Sequence, residues 1–294
     1  MRIQIAKFLH YLEFEKHLSA LTVKTYAQDL TKLYELAQRH NLNTSNQITT
    51  KHIRMFIMEL HAQDLQSKTI SKFLAATRSF YRYLNKYKLC AVNPAINLRA
   101  PKGEKRLPKN LDVDRAMHLL DTERPDTFTN ARDLALLELF YSSGLRLAEL
   151  ATLDLVNLDL AGGVVKVLGK GNKERIVPVG SKAIMALKKW FKWRALFAKE
   201  NAVFISKKGT RLAMRSIQVR VTLAGAKFLG ENLHPHMLRH SFASHMLQSS
   251  QDLRAVQELL GHASVATTQI YTHLDFQHLA TIYDKAHPRA RRKD

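Results

Sequence analysis

A mainly α-helical, two-domain protein is what this chain of 294 residues encodes: a four-helix N-terminal domain, then an α+β domain with a small antiparallel sheet. Apolar residues recur at helical spacing through the first ninety positions. A proline-rich basic stretch then interrupts them, and a single glycine-broken run of alternating residues follows among further helices.

Taken in order, Thr22 precedes VKTYAQDLTKLYELAQR, where Val23, Tyr26, Leu30, Leu33 and Leu36 share a helical face. Thr49 or Thr50 is a ready cap for HIRMFIMELHAQ, and Ser67 for KTISKFLAATRSFYRYLNKY. Such stripes form a core, while the outward faces carry Lys24, Lys32, Arg54, Lys68, Lys72, Arg78 and Arg82. Residues 93–110, NPAINLRAPKGEKRLPKN, hold three prolines, one glycine and five basic residues against one acid. Proline removes a backbone donor and disfavours helix before it, so an extended basic linker over 101–110 separates domains at 1–100 and 111–294. Beyond it, helical patterns cover 112–120, 129–142 and 146–152. GGVVKVLGKGNKERIVPV alternates on both sides of a glycine-rich turn, as a β-hairpin does. Helices resume over 181–200, 214–230, 236–248, 252–261 and 275–287.

The charge narrows the partners. Lys and Arg number 46 against 25 Asp and Glu, a formal net charge of +21. Residues 1–100 carry 15 basic and 6 acidic groups, and residues 101–294 carry 31 and 19, so both domains would face a polyanion. Nucleic acid is the commonest such partner. The sole cysteine, Cys90, excludes an intramolecular disulfide and suits a reducing compartment. No apolar run reaches the roughly 18 residues of a membrane span. The opening MRIQIAKFLHYLEFEKHL lacks a signal-peptide core, so a cytoplasmic protein without membrane partners is expected.

Several segments carry chemistry. A phosphodiester gains negative charge at its pentacoordinate transition state, and the planar fork of arginine bonds two oxygens without losing its proton. Arg146, in GLRLAEL, and Arg239, in HPHMLRHSF, are the candidates. His236, Arg239 and His240 fall at i, i+3 and i+4, one face of a helix. His240 is read as a buried histidine capping the helix start. The spacing of His236 and His240 also matches a zinc-protease helix, but Met237 stands where that motif needs Glu, and Arg239 would repel a cation, so no metal is expected. Lys170 sits in the turn of GKGNKER between glycines that let it approach a phosphate; by itself it is a polar hairpin tip. No nucleotide-binding loop accompanies it, so neither ATP nor any other cofactor is expected. Tyr271 follows His262 by nine residues. A phenol titrates near 10, so it attacks well at neutral pH only beside cations or a base.

Together GLRLAE (144–149), GKGNKER (169–175), HMLRHSFASH (236–245), LLGH (259–262) and TTQIYTH (267–273) resemble the tyrosine recombinase, or lambda-integrase, family over essentially the whole chain. The order Arg, Lys, His-x-x-Arg, His, Tyr is specific to it. The resemblance implies a SAM-like core-binding domain, a linker and a catalytic domain that together clamp double-stranded DNA. It implies that Arg146 and Arg239 hold the scissile phosphate, with His236 and His262 completing the pocket. It further implies that Lys170 protonates the departing 5′-hydroxyl, that Tyr271 forms a 3′-phosphotyrosyl link, and that Glu149 orients Arg146. YSSGLRLAEL and the ending IYDKAHPRARRKD point to the Xer subgroup. That implies a dif-like site, a XerD-like sister in a heterotetramer, an FtsK-like translocase and a role in resolving chromosome dimers. It also implies that the C-terminal helix docks on a neighbouring protomer, so that deleting 276–294 would impair synapsis or activity while leaving the fold intact. The other readings are a mobile-element integrase, a type IB topoisomerase-like relaxer and an accessory DNA-binding protein without catalysis.

Overall fold

The structure, a computed structural model, describes residues 1–103, 110–122, 125–169, 174–261 and 273–290, and the side chains of 273–278 lie outside that description. It divides into two compact units, Met1–Arg106 and Leu107–Asp294.

The first unit is a helical bundle. Helix α1 (Arg2–His10) widens into a π-turn over Tyr11–Glu15, and α2 (Ala20–Arg39), α3 (Thr50–Ala62) and α4 (Ser67–Lys86) complete it. The α2 cap is Ser19 rather than Thr22. Ser19 has the extended backbone a cap requires, and its hydroxyl accepts the Thr22 N–H at 3.3 Å. Thr49 caps α3, where the anticipated pair allowed either threonine. Phe8, 1% exposed, lies among the rings of Tyr11, Tyr26, Phe80 and Tyr83, with ring centres 5.3–6.5 Å away. Burying each such side chain contributes about 1.5–3 kcal/mol. Lys24, Arg54, Lys68, Lys72 and Arg82 stay exposed as the sequence predicts, with Lys32 half-buried. Arg78 is different: it turns onto its own chain, donating to the carbonyls of Ala95 (3.0 Å) and Leu98 (2.7 Å). It pins the start of the proline-rich stretch instead of facing outward.

In the second unit the described helices are α5 (Val113–Thr122), α6 (Phe128–Ser143), α7 (Leu147–Ala151), α8 (Ser181–Ala195), α9 (Met214–Leu229), α10 (Pro235–Ser250), α11 (Leu253–Leu260) and α12 (His273–Ala286). Fourteen of the sixteen residues of α6 are buried, which makes it the axis around which the rest packs. Its neighbour α8 contributes Trp190, fully buried, whose indole N–H donates to the Val203 carbonyl at 2.8 Å. Strands β1 (Leu158–Asp159), β2 (Val164–Leu168) and β3 (Glu174–Pro178) form an antiparallel sheet in chain order, with Lys166 opposite Ile176 and Leu168 opposite Glu174. The short β1 and the bridge between Ile205 and Arg211 have no clear alternation in sequence. No helix among the described residues is long and apolar enough to cross a membrane.

The end of the chain belongs to this unit's core. The hydroxyls of Tyr283 and Ser142 lie 2.8 Å apart, and Ser142 accepts the Gly180 N–H at 2.7 Å. His287 stacks on Tyr283, with centres 5.0 Å apart, and packs against Phe242 and Tyr141. Arg289 forks onto Glu138 in α6 and reaches Asp121 at 3.0 Å. Deleting 276–294 therefore cannot leave the fold intact, as the sequence reading expected, because it removes Tyr283, His287 and Arg289 from buried positions in the same chain.

Candidate active site

Helix α6 ends at Gly144, whose φ of +56° is left-handed and whose missing side chain leaves room for the ring of Phe242. Two residues later Arg146 forms the N-cap of α7 and not its first turn, so the helix begins one residue after the expected start. An arginine is an unusual cap. Glu149 makes it work, reaching back to accept the Arg146 backbone N–H at 2.8 Å and its Nη1 at 2.9 Å. Glu149 thus contacts both the backbone and the side chain of Arg146.

Arg239 lies in the second turn of α10, and His236 in the first. Pro235 opens that helix at a position where its missing N–H removes no bond. His236 is exposed and Arg239 half-buried. His240 is exposed as well, so it is neither buried nor a cap; His234 occupies the cap position. Five residues on, the α10 face turns inward, where Tyr141 and His245 share a 2.8 Å hydrogen bond.

The two arginines converge on one helix end. Arg146 Nη2 donates to the Gly261 carbonyl at 3.0 Å, and Arg239 Nη2 to the Leu260 carbonyl at 2.7 Å. Arg239 Nη1 donates to the Gly144 carbonyl. The last carbonyls of a helix lack intrahelical partners and carry its negative pole, so cations settle there. Arg175 joins them from β3. Its Nε donates to Leu259 at 3.2 Å, and its fork grips Glu149 at 2.7 and 2.8 Å. Three consecutive carbonyls at the end of α11 therefore each accept from a different arginine.

The charges follow from this packing. Burial pushes Glu149 up, but hydrogen bonds and charge from Arg175 and Arg146 outweigh it and hold the carboxyl down at about 2. Burial, then the nearby Arg146, draw Arg239 down to about 10, with Glu149 pulling the other way and Arg175 adding to the depression. Three guanidiniums face a single described carboxylate, an excess of positive charge suited to an oxyanion. Each arginine has five N–H groups, so those of Arg146 and Arg239 retain donors beyond the bonds named here.

Lys170, His262 and Tyr271 lie outside the described residues. In sequence, Gly261 directly precedes His262, and Arg175 follows Lys170 by five residues. Arg175 itself escaped the sequence reading. The available signal was strand alternation, which puts Arg175 inward with Val177 while Glu174 and Ile176 point out. A charge on an inward position needs a partner.

Comparison with known proteins gives the same class. Residues 109–278 match the phage integrase family, and residues 5–88 match the phage integrase N-terminal SAM-like domain. A solved XerH site-specific recombinase, bound to palindromic difH substrate in a post-cleavage complex, superposes with a TM-score of 0.71 at 25% identity, covering 95% of this chain and 84% of that one. The chain belongs to the phage integrase family of tyrosine recombinases, enzymes of DNA strand exchange. Within that family it is XerC-like along its whole length. The tyrosine recombinase XerC of Pseudomonas syringae pv. tomato (strain DC3000) is 53% identical over 294 residues, covering 100% of this chain and 98% of that protein. The XerC of Pseudomonas aeruginosa (strain UCBPP-PA14) is 55% identical, covering 100% and 97%.

Proposed function

We propose that this recombinase cuts and rejoins duplex DNA at a dif-like core through Tyr271. The carrying observation is the pair of guanidiniums, Arg146 and Arg239, anchored to adjacent carbonyls at the end of α11 with donors to spare for one phosphate. In this reading the Tyr271 oxygen gives its proton to the assisting His262 as it attacks phosphorus, and the bond to the 5′-oxygen breaks. Lys170 gives that oxygen its proton, and a 3′-phosphotyrosyl link conserves the bond for rejoining. Arg146, Arg239, His236 and His262 hold the non-bridging oxygens as their charge grows. The first unit, with Lys24, Arg54, Lys68, Lys72 and Arg82 exposed, grips the flanking backbone. The XerC-like length supports a XerD-like sister in a heterotetramer, regulation by an FtsK-like translocase, and resolution of chromosome dimers in the cytoplasm.

Trapping tests this. Wild type and Tyr271→Phe are incubated with a nicked dif-like duplex, alone and with a XerD-like partner whose own nucleophilic tyrosine is replaced by phenylalanine, and run on a denaturing gel. The expected result is a slow-migrating adduct from wild type alone. Adduct from Tyr271→Phe refutes the nucleophile. Tight binding without adduct, even with the partner, supports the accessory reading, and relaxation of supercoils regardless of sequence supports the topoisomerase-like one.

A further inference from the structure

Arg175 is 5% exposed on the inward face of β3, a position that an apolar side chain would ordinarily fill. A buried ion pair is often no more stabilising than well-packed apolar residues of similar volume. Stability alone therefore does not account for an arginine there. What it does is determined by its contacts. Glu149 is gripped from two sides: Oε1 accepts from Arg175 Nη1 and from Arg146 Nη1, while Oε2 accepts from Arg175 Nη2 and from the Arg146 backbone N–H. A carboxylate bonded by Arg146 alone is free to turn about its terminal torsion and draw the Arg146 fork toward itself. The fork of Arg175 removes that freedom. Its Nε meanwhile holds Leu259, three residues before His262.

We propose that Arg175 is a positioning residue for DNA cleavage, fixing Arg146 through Glu149 and fixing the end of α11 through the Leu259 carbonyl. The proposal rests on the reading of Arg146 as a phosphate ligand. Arg175 touches no reacting atom in it. It sets the direction of a guanidinium that does, and it ties β3 to the end of α11. Loss of Arg175 then slows the chemical step while leaving DNA affinity, which is spread over many lysines and arginines, nearly unchanged.

The experiment uses the full-length protein with a XerD-like partner lacking its own nucleophilic tyrosine and a nicked dif-like duplex. Wild type, Tyr271→Phe, Arg175→Met, Arg175→Lys, Glu149→Gln and the double Arg175→Met/Glu149→Gln are compared. Affinity is read by mobility shift at fixed salt, the adduct-forming rate in single turnover at saturating protein, and folding by thermal melting. Arg175→Met is expected to keep affinity within about threefold and lose about 30- to 100-fold in rate, the scale of an ångström-sized misplacement. Arg175→Lys, charged but without the fork, loses about tenfold. The double variant is expected to lose less than the product of the two single losses, because both changes break the Glu149 contact while only Arg175→Met also releases Leu259. A wild-type rate in Arg175→Met, multiplied losses in the double variant, or a rate loss matched by lost affinity overturns the proposal. If Arg175→Met does not fold, Arg175→Lys decides: a native melt and affinity with a slowed rate support positioning, and a wild-type rate overturns it. Absence of adduct from wild type, or adduct from Tyr271→Phe, strikes the reading of the site itself and the role of Arg175 with it.

Discussion

Replacing Arg289 by methionine removes the charge that faces Glu138 in the middle of α6. Burial pushes the Glu138 carboxyl above its ordinary value, and the guanidinium of Arg289 pulls against that push. Glu138 is 2% exposed, so without Arg289 it has little water to turn to. Its escape is to take up a proton. At pH 7 that costs about 1.36 kcal/mol for each unit above an unperturbed glutamate near 4.3, at most about 4 kcal/mol, less what the already raised wild-type carboxyl costs. This agrees with the roughly 3–5 kcal/mol expected when one partner of a buried pair is removed. The Asp121 contact adds little, since that side chain is 63% exposed. The sign of the pH dependence follows. In the variant, Glu138 has a folded pKa raised above its unfolded value, so the penalty fades as pH falls toward the unfolded pKa, to about 1 kcal/mol at pH 5. Urea unfolding of wild type and Arg289→Met at pH 7 and pH 5 measures both values, and hydrogen exchange over 286–290 shows whether the chain end detaches. Adding Glu138→Leu to Arg289→Met should recover most of the loss. A penalty below about 1 kcal/mol at pH 7, or one independent of pH, would refute the argument.

Other consequences are separable. Burial holds His287 down to about 3, so the folded state stays neutral where the unfolded chain binds a proton. Stability present above the unfolded value near 6.5 is lost as pH falls toward 3, by about 2 kcal/mol at pH 5, and His287→Phe should flatten that part of a melting-against-pH curve. Gly144→Ala sets a side chain against Phe242 at a left-handed position and should cost about 2–4 kcal/mol in chemical denaturation, with a disproportionate loss of cleavage. DNA affinity should fall steeply on a log–log plot against salt, and Lys24→Ala, Lys68→Ala or Lys72→Ala should each lower the slope by about one if it meets a phosphate, without altering single-turnover cleavage.

The helices were legible wherever one face alone is buried, as in α2 and α4, because the 3.6-residue stripe then appears in the letters. In α6 burial on nearly every side erases the stripe, and continuous apolar character marked the helix instead. The hairpin was legible from alternation, but the same alternation placed Arg175 inward and was passed over, since one arginine among 46 basic residues draws no notice without its partner. Glu149 was found because it lies three residues from Arg146. Arg175 comes from another strand, and the α11 carbonyls are backbone groups that carry no sequence signature. Arg78 and His240 were misjudged for a related reason: helical spacing gives a face, and only packing shows what covers it.

Gly144 has one further implication. Its carbonyl receives Arg239, and its left-handed turn releases the chain toward Arg146 two residues on. One peptide group thereby serves as a caliper between guanidiniums that lie far apart in sequence. Backbone sets where the two side chains start, and Glu149 with Arg175 sets where the Arg146 fork ends. An insertion between Gly144 and Arg146 would open the caliper even with every candidate phosphate ligand still in place.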